Sequence, residues 1–138
     1  MNIGLASTRS GVSQRMIRHY ERIGLVPPPA RRDSGYRDYD ERDVHRLRFI
    51  ANARDLGFSV AEIATLLGLW EDRERASAEV KHLALEHIEA LDEKIAKLQA
   101  MRATLNELAE RCHGDERPDC PILSELANAA PSTDAELR

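Results

Sequence analysis

Apolar positions recur at alternating steps of four and three along the second half of this chain: Ala84, Ile88, Leu91, Ile95, Leu98, then Leu105, Ala109 and Cys112. This is a heptad seam, interrupted at Arg102, and it predicts one helix from about Ala78 to Arg111. At 1.5 Å per residue such a helix spans roughly 50 Å. A chain of 138 residues cannot bury so long a seam within itself. A partner helix is therefore expected, and a dimer rod follows. Gly114 and Pro118 end the helix, and Cys112 and Cys120 frame the loop at its tip.

Upstream the pattern breaks into short amphipathic pieces. Gly4–Ser10 reads as a first helix, Gly11 as a turn, Val12 as a buried contact, and Ser13 as the N-cap of a helix over Gln14–Ile23 that ends at Gly24. Two short helices around a tight Gly turn are a helix-turn-helix candidate. On the second helix Met16 and Ile23 are expected inward with Tyr20 at the edge of that face, while Arg15, Arg18, His19 and Arg22 occupy the other sides. Three prolines then exclude helix, and Ser34-Gly35 marks a turn between two extended arms. A β-hairpin wing is predicted there, with Arg31, Arg32, Tyr36 and Arg37 around its tip.

Asp40 caps a third helix over Glu41–Leu56, with Val44, Leu47, Phe49 or Ile50, and Ala53 facing in. Ser59 and Glu62 form a capping box opening a fourth helix through Leu69, with Ile63, Leu66 and Leu67 inward. Trp70–Ala76 reads as a charged connector, and Ser77 as the cap of the long helix. After Cys120, Pro121 starts a short helix carrying Ile122, Leu123 and Leu126. Residues 129–138 lack an apolar pattern and are expected to be disordered. The predicted fold is mainly α. A winged helix-turn-helix covers 1–75, a dimerisation helix 76–111, and a loop with a short helix 112–128.

Charge changes this picture. Residues 1–57 hold eleven Arg against seven acids, a net +4, whereas the remainder carries −8. Every positive charge in the first part is Arg, the side chain suited to bidentate phosphate and guanine contacts. A basic head on an acidic body points to nucleic-acid binding confined to the N-terminal part. No apolar run approaches the roughly 20 residues of a membrane span, and no signal peptide is seen, so a cytoplasmic protein without membrane association is expected. Ser-His-Asp, HExxH and Gly-rich phosphate patterns are lacking, so an enzyme is not expected.

The two cysteines carry the remaining chemistry. In a reducing cytosol a lone pair reads as thiols or metal ligands rather than a structural disulfide. Thiolates select soft ions of the Cu(I) class, and two alone suit a low-coordinate monovalent ion. Zinc asks for four ligands, which would recruit His113 and Asp115 or Asp119. A reversible Cys112–Cys120 disulfide is the rival reading. His82 and His87, on the long helix, read as surface or packing residues.

Three motifs give a resemblance. Arg18-His-Tyr-Glu-Arg-Ile-Gly-Leu25, Gly35-Tyr-Arg-Asp-Tyr39 and Arg54-Asp-Leu-Gly-Phe-Ser59 closely resemble the mercuric-resistance regulator (MerR) family of transcription regulators, over residues 1–111. The resemblance implies DNA contacts from Arg15, Arg18 and Tyr20 on the second helix, from Arg31, Tyr36 and Arg37 on the wing, and from Arg54 at the backbone. It implies a homodimer joined by an antiparallel coiled coil. It also implies activation by distorting a promoter whose spacer is too long, so that RNA polymerase engages both elements.

The pair Cys112 and Cys120, followed by Pro121-Ile122, resembles the loop of copper-efflux regulators of the CueR type. This implies Cu(I) as effector, with Ag(I) or Au(I) as substitutes. Divalent-metal relatives carry a further cysteine at the start of the long helix, where this chain has Ser77, so that position is expected to bear on metal selectivity. A thiol-redox regulator and a divalent, zinc-class regulator are the alternatives. A Cys/His-rich tail, which some relatives have, is missing from the last ten residues.

Overall fold

The computed structural model describes residues 1–128 and forms two compact units, Met1–Ala84 and the residues from Leu85 onward. The expected disorder of 129–138 lies outside the described residues. Eight elements follow in order: α1 (Ile3–Ser10), α2 (Gln14–Arg22), β1 (Ala30–Arg31), β2 (Arg37–Asp38), α3 (Glu41–Asp55), α4 (Val60–Glu71), α5 (Ser77–Arg111) and α6 (Pro121–Asn128).

Local side-chain chemistry starts the helices of the first unit. Asn2 accepts from the Leu5 N–H, Ser13 from Met16, and Asp40 and Ser59 each form a reciprocal capping box, with Asp43 and Glu62. Gly11 ends α1 at φ 76°, a left-handed conformation that costs glycine no steric penalty. The wing is an antiparallel pair with Ala30 opposite Asp38 and Arg31 opposite Arg37. Gly35 at φ 87° turns its tip, where the Gly35 N–H donates to the Arg32 carbonyl at 2.7 Å.

One core gathers these pieces. Ala6, Val12, Ile17, Tyr20, Val26, Tyr39, Leu47, Ile50, Ala53, Ile63 and Leu67 are buried together, and α3 packs against both α1 and α4. Each fully buried aliphatic side chain here contributes about 1.5–3 kcal/mol from removal from water.

Three expectations shift. On α2 the inward residues are Ile17 and Tyr20, both essentially without exposure, while Ile23 is half exposed and Met16 only packs at the margin. The reason is phase: Ile17 and Tyr20 stand three apart on one stripe, whereas Met16 and Ile23 sit on its flanks. On α3, Ile50 is buried, while Phe49 stacks on Trp70 with ring centroids 4.8 Å apart. That stack extends α4 through Trp70 to Glu71, beyond the Leu69 boundary, and shortens the connector.

α5 begins within the first unit and is an unbroken helix, about 52 Å in all at 1.5 Å per residue, and its seam lies open. Ile88, Ile95, Leu98 and Leu105 are each half or more exposed, against a buried His87 and Leu108. The helix begins at Ser77 itself, so Ser77 stands in its first turn rather than before it.

Candidate functional site

Two sites emerge, one in each unit. In the head, exposed Arg15 and Arg18 project from α2, and Arg31, Tyr36 and Arg37 come from the wing. Arg18, Arg31, Arg32, Tyr36 and Arg37 line one open concavity of about 580 Å³, together with Asn2, Ile3 and Gly35. Four guanidinium groups around one hollow favour an anion, and phosphate is the anion a nucleic acid presents. Arg54, near the end of α3, lines a second groove with Gly11, Val12, Ser13 and Met16, so it stands beside the N-terminus of α2. That end carries free backbone N–H groups and the positive end of the helix dipole.

Internal contacts fix several of these arginines. Arg31 Nη1 donates to the Gly35 carbonyl at 2.9 Å, which stiffens the wing tip. Arg37 Nη1 lies 3.2 Å from Glu21 Oε2, and the Tyr39 hydroxyl donates to Glu21 Oε1 at 2.6 Å. Burial, and then the hydrogen bond to the Glu21 carboxylate, push the Tyr39 phenol up to about 12. Sequence reasoning misses Glu21. An acid inside an arginine-rich helix, eighteen residues from a tyrosine, is the only signal it gives.

Tyr20 lies deeper than the edge position expected for it. The residue is 1% exposed, and its hydroxyl accepts a 2.7 Å hydrogen bond from Arg54 Nη1. It therefore stands behind an arginine, in the core.

The second site is the thiol pair. Cys112 follows the last turn of α5, its N–H donating to the Leu108 and Ala109 carbonyls. Cys120 precedes α6, and its carbonyl accepts from the Ser124 N–H at 3.0 Å. Both are free and half-buried. The loop between them is held by Asp115, which accepts from the Arg117 N–H at 2.9 Å and pairs with its guanidinium. The two thiols stand at the two ends of this loop, Cys112 after α5 and Cys120 before α6. The Cys120 thiol is pulled below its ordinary range, chiefly by the Leu123 N–H, with burial opposing and the Ile122 N–H and Cys112 helping. These N–H groups open α6, so the helix start offsets part of the charge of a thiolate. A soft ion fits this donor set: two thiols, one already disposed to ionise. Among the described residues, no group of three or more His, Cys, Asp or Glu side chains is placed to hold a metal ion. Of the two helix histidines, His87 is buried and His82 exposed.

The MerR helix-turn-helix regulatory family matches residues 1–69, and the family described as MerR, DNA binding matches residues 44–108. The chain is 58% identical over 137 residues to heavy metal-dependent transcription regulator 2 of Rhizobium meliloti (strain 1021), covering 99% of this chain and 93% of that one. It is 40% identical over 127 residues to the regulator CueR of Salmonella typhimurium, covering 92% of each. Among solved structures, PbrR691 of Ralstonia metallidurans CH34, in complex with lead(II), superposes with a TM-score of 0.78 at 33% identity, over 91% of this chain and 98% of that one. With a winged helix-turn-helix, a long helix and relatives that match nearly end to end, this chain belongs to the MerR family of DNA-binding transcription regulators and is not an enzyme.

Proposed function

We propose that this regulator binds promoter DNA as a homodimer and activates copper-efflux or detoxification genes when it takes up Cu(I), with Ag(I) or Au(I) as substitutes. The observation that carries the reading is the pair of free, half-buried thiols at the two ends of one short loop, Cys112 just after α5 and Cys120 just before α6. Two thiolates with one monovalent ion leave a single negative charge, which the start of α6 is placed to offset. A divalent ion on the same pair is neutral but short of ligands. Ser77, where divalent-metal regulators of this family carry cysteine, withholds a third thiol. The heavy-metal names of the relatives support a metal effector in general terms.

On the DNA side, Arg15 and Arg18 enter the major groove from α2, Arg31, Tyr36 and Arg37 hold flanking backbone from the wing, and Arg54 takes a phosphate beside the α2 N-terminus. The open seam of α5 pairs antiparallel with a second copy. In that pairing Ser77 of one chain comes near the thiol loop of the other. Metal uptake then acts on the way two heads hold one promoter, and bending or untwisting its spacer lets RNA polymerase engage both elements. Nothing in this scheme involves a membrane, and among the described residues no helix is long and apolar enough to cross one.

Anaerobic titration of the reduced protein with Cu(I) and Zn(II), read by X-ray absorption, tests the effector. Two sulfurs per Cu(I) with weak zinc binding is the expected outcome; tight zinc binding with nitrogen or oxygen ligands would overturn it. Cys112→Ser should abolish copper-dependent transcription while leaving DNA affinity intact, because the head is a separate unit. Two free thiols framing one short loop also favour a second reading, a redox switch through a Cys112–Cys120 disulfide. Induction by diamide without metal, lost in Cys120→Ser, would establish that one.

A further inference from the structure

We infer that Tyr20 and Glu21, consecutive residues of α2, are positioning residues that set the two flanking arginines, Arg54 and Arg37, for DNA. The inference rests on the reading above, in which those arginines contact the duplex. Successive helical side chains leave the axis about 100° apart, so neighbours at one point of α2 reach in different directions. Tyr20 turns into the core and meets α3, where its hydroxyl accepts from Arg54 Nη1 at 2.7 Å. Glu21 turns toward the wing, where its two oxygens are divided: Oε1 accepts from the Tyr39 hydroxyl at 2.6 Å and Oε2 faces Arg37 Nη1 at 3.2 Å.

Both holders are buried and both arginines open outward. Tyr20 is 1% exposed and the Glu21 side chain 7%, whereas Arg37 keeps a third of its side chain exposed and Arg54 is exposed. A guanidinium has five N–H donors, so one inward hydrogen bond leaves several for a phosphate. The wing needs this support. Its strands are two residues each, so its own ladder fixes Arg37 weakly, and the carboxylate of Glu21 ties β2 to the helix that enters the groove. An arginine held in place before binding does not lose rotamer freedom on binding, which is worth roughly three- to tenfold in affinity for each side chain. The fork also gives α2 a second role, because one face reads the duplex while its last full turn sets the spread of the contacts on either side.

Double-mutant cycles with the full-length dimer test this, using a labelled duplex selected by the wild-type protein from a randomised pool. Glu21→Gln keeps shape but offers one acceptor oxygen where two are needed, and its amide faces the guanidinium. It should weaken binding roughly three- to tenfold in the wild-type background. In Arg37→Ala the same change should cost less than about twofold, because nothing remains to be positioned. Tyr20→Phe should behave likewise with Arg54→Ala, and Glu21→Gln should keep its full effect in Arg54→Ala. Tyr39→Phe, which removes a hydroxyl from the same carboxylate, should lower the melting temperature and leave affinity within about twofold. If Arg37→Ala and Arg54→Ala leave affinity unchanged, the contact reading fails and this inference with it. If they weaken binding but Glu21→Gln and Tyr20→Phe add to them in full, the inference alone fails. Should Glu21→Gln melt below the assay temperature, the Tyr20–Arg54 cycle, which deletes a single hydroxyl, decides.

Discussion

Leu98 offers a quantitative handle on the proposed rod. It sits at the middle of the α5 seam and is 62% exposed in the single chain. Full burial of a leucine is worth about 1.5–3 kcal/mol, so covering that remaining share is worth roughly 1–2 kcal/mol per chain. A two-fold dimer repeats the contact, giving about 2–4 kcal/mol in all. Leu98→Gln removes most of this term without a charge and with a residue of similar helix propensity. At 1.4 kcal/mol per factor of ten, the dimer dissociation constant should rise roughly 30- to several-hundred-fold. Sedimentation velocity over a concentration series measures it, with circular dichroism confirming that helix content in the dimer is kept. A dissociation constant within a factor of three of wild type would refute the seam as the interface. So would a rise accompanied by loss of the head's own melting transition, since that would place Leu98 in the fold of one chain.

Three further outcomes are expected. Ile17→Ala removes a side chain with no exposure from the centre of the head and should cost about 2–5 kcal/mol, which for a unit of this size lowers melting by roughly 10 °C or more; a shift under 3 °C in calorimetry would contradict the assigned inward face of α2. The folded-state pKa of Tyr39 is raised from 10 to about 12, so its contribution to stability is full below pH 10 and is lost as pH rises through 12. Absorbance at 295 nm should therefore show one tyrosinate appearing last, near 12, and missing in Tyr39→Phe; three tyrosines ionising together near 10 would exclude it. Ser77→Cys should raise the response to divalent ions in a promoter-fusion assay, and an unchanged ion profile would leave Ser77 as an ordinary residue of the first helical turn.

Much of the head was legible because its signals are local. Ser13, Asp40 and Ser59 begin their helices where a short polar side chain meets the third N–H, and Gly35 turns the wing between arms with no helical alternative. What was not legible depends on distant partners. A nine-residue helix carrying adjacent Met16 and Ile17 does not fix its own phase, and only packing into the shared core selects Ile17 with Tyr20. Tyr20 reads only as an edge residue, and Glu21 as one more charge in an arginine-rich run, until α3 and the wing are placed against them. Trp70 joined α4 for the same kind of reason, through Phe49 on another helix. At the thiol pair the spacing was visible at once. That Cys120 sits directly before a helix start, which lowers its thiol pKa, followed only from where α6 begins.

The capped helix starts have a kinetic consequence. Nucleating a helix is costly because several dihedrals are fixed for one hydrogen bond, and a side chain that binds an early N–H lowers that cost at a defined residue. The first four helices each carry such a residue, so each has a fixed starting point before the long-range packing of α1 on α3 closes the core. The head thus folds as a first-order event, whereas in the proposed dimer the seam waits for a second chain at a rate set by concentration. In a cell making few copies, monomers with finished heads precede dimers. Expression level then becomes a control on how much of the two-headed regulator exists.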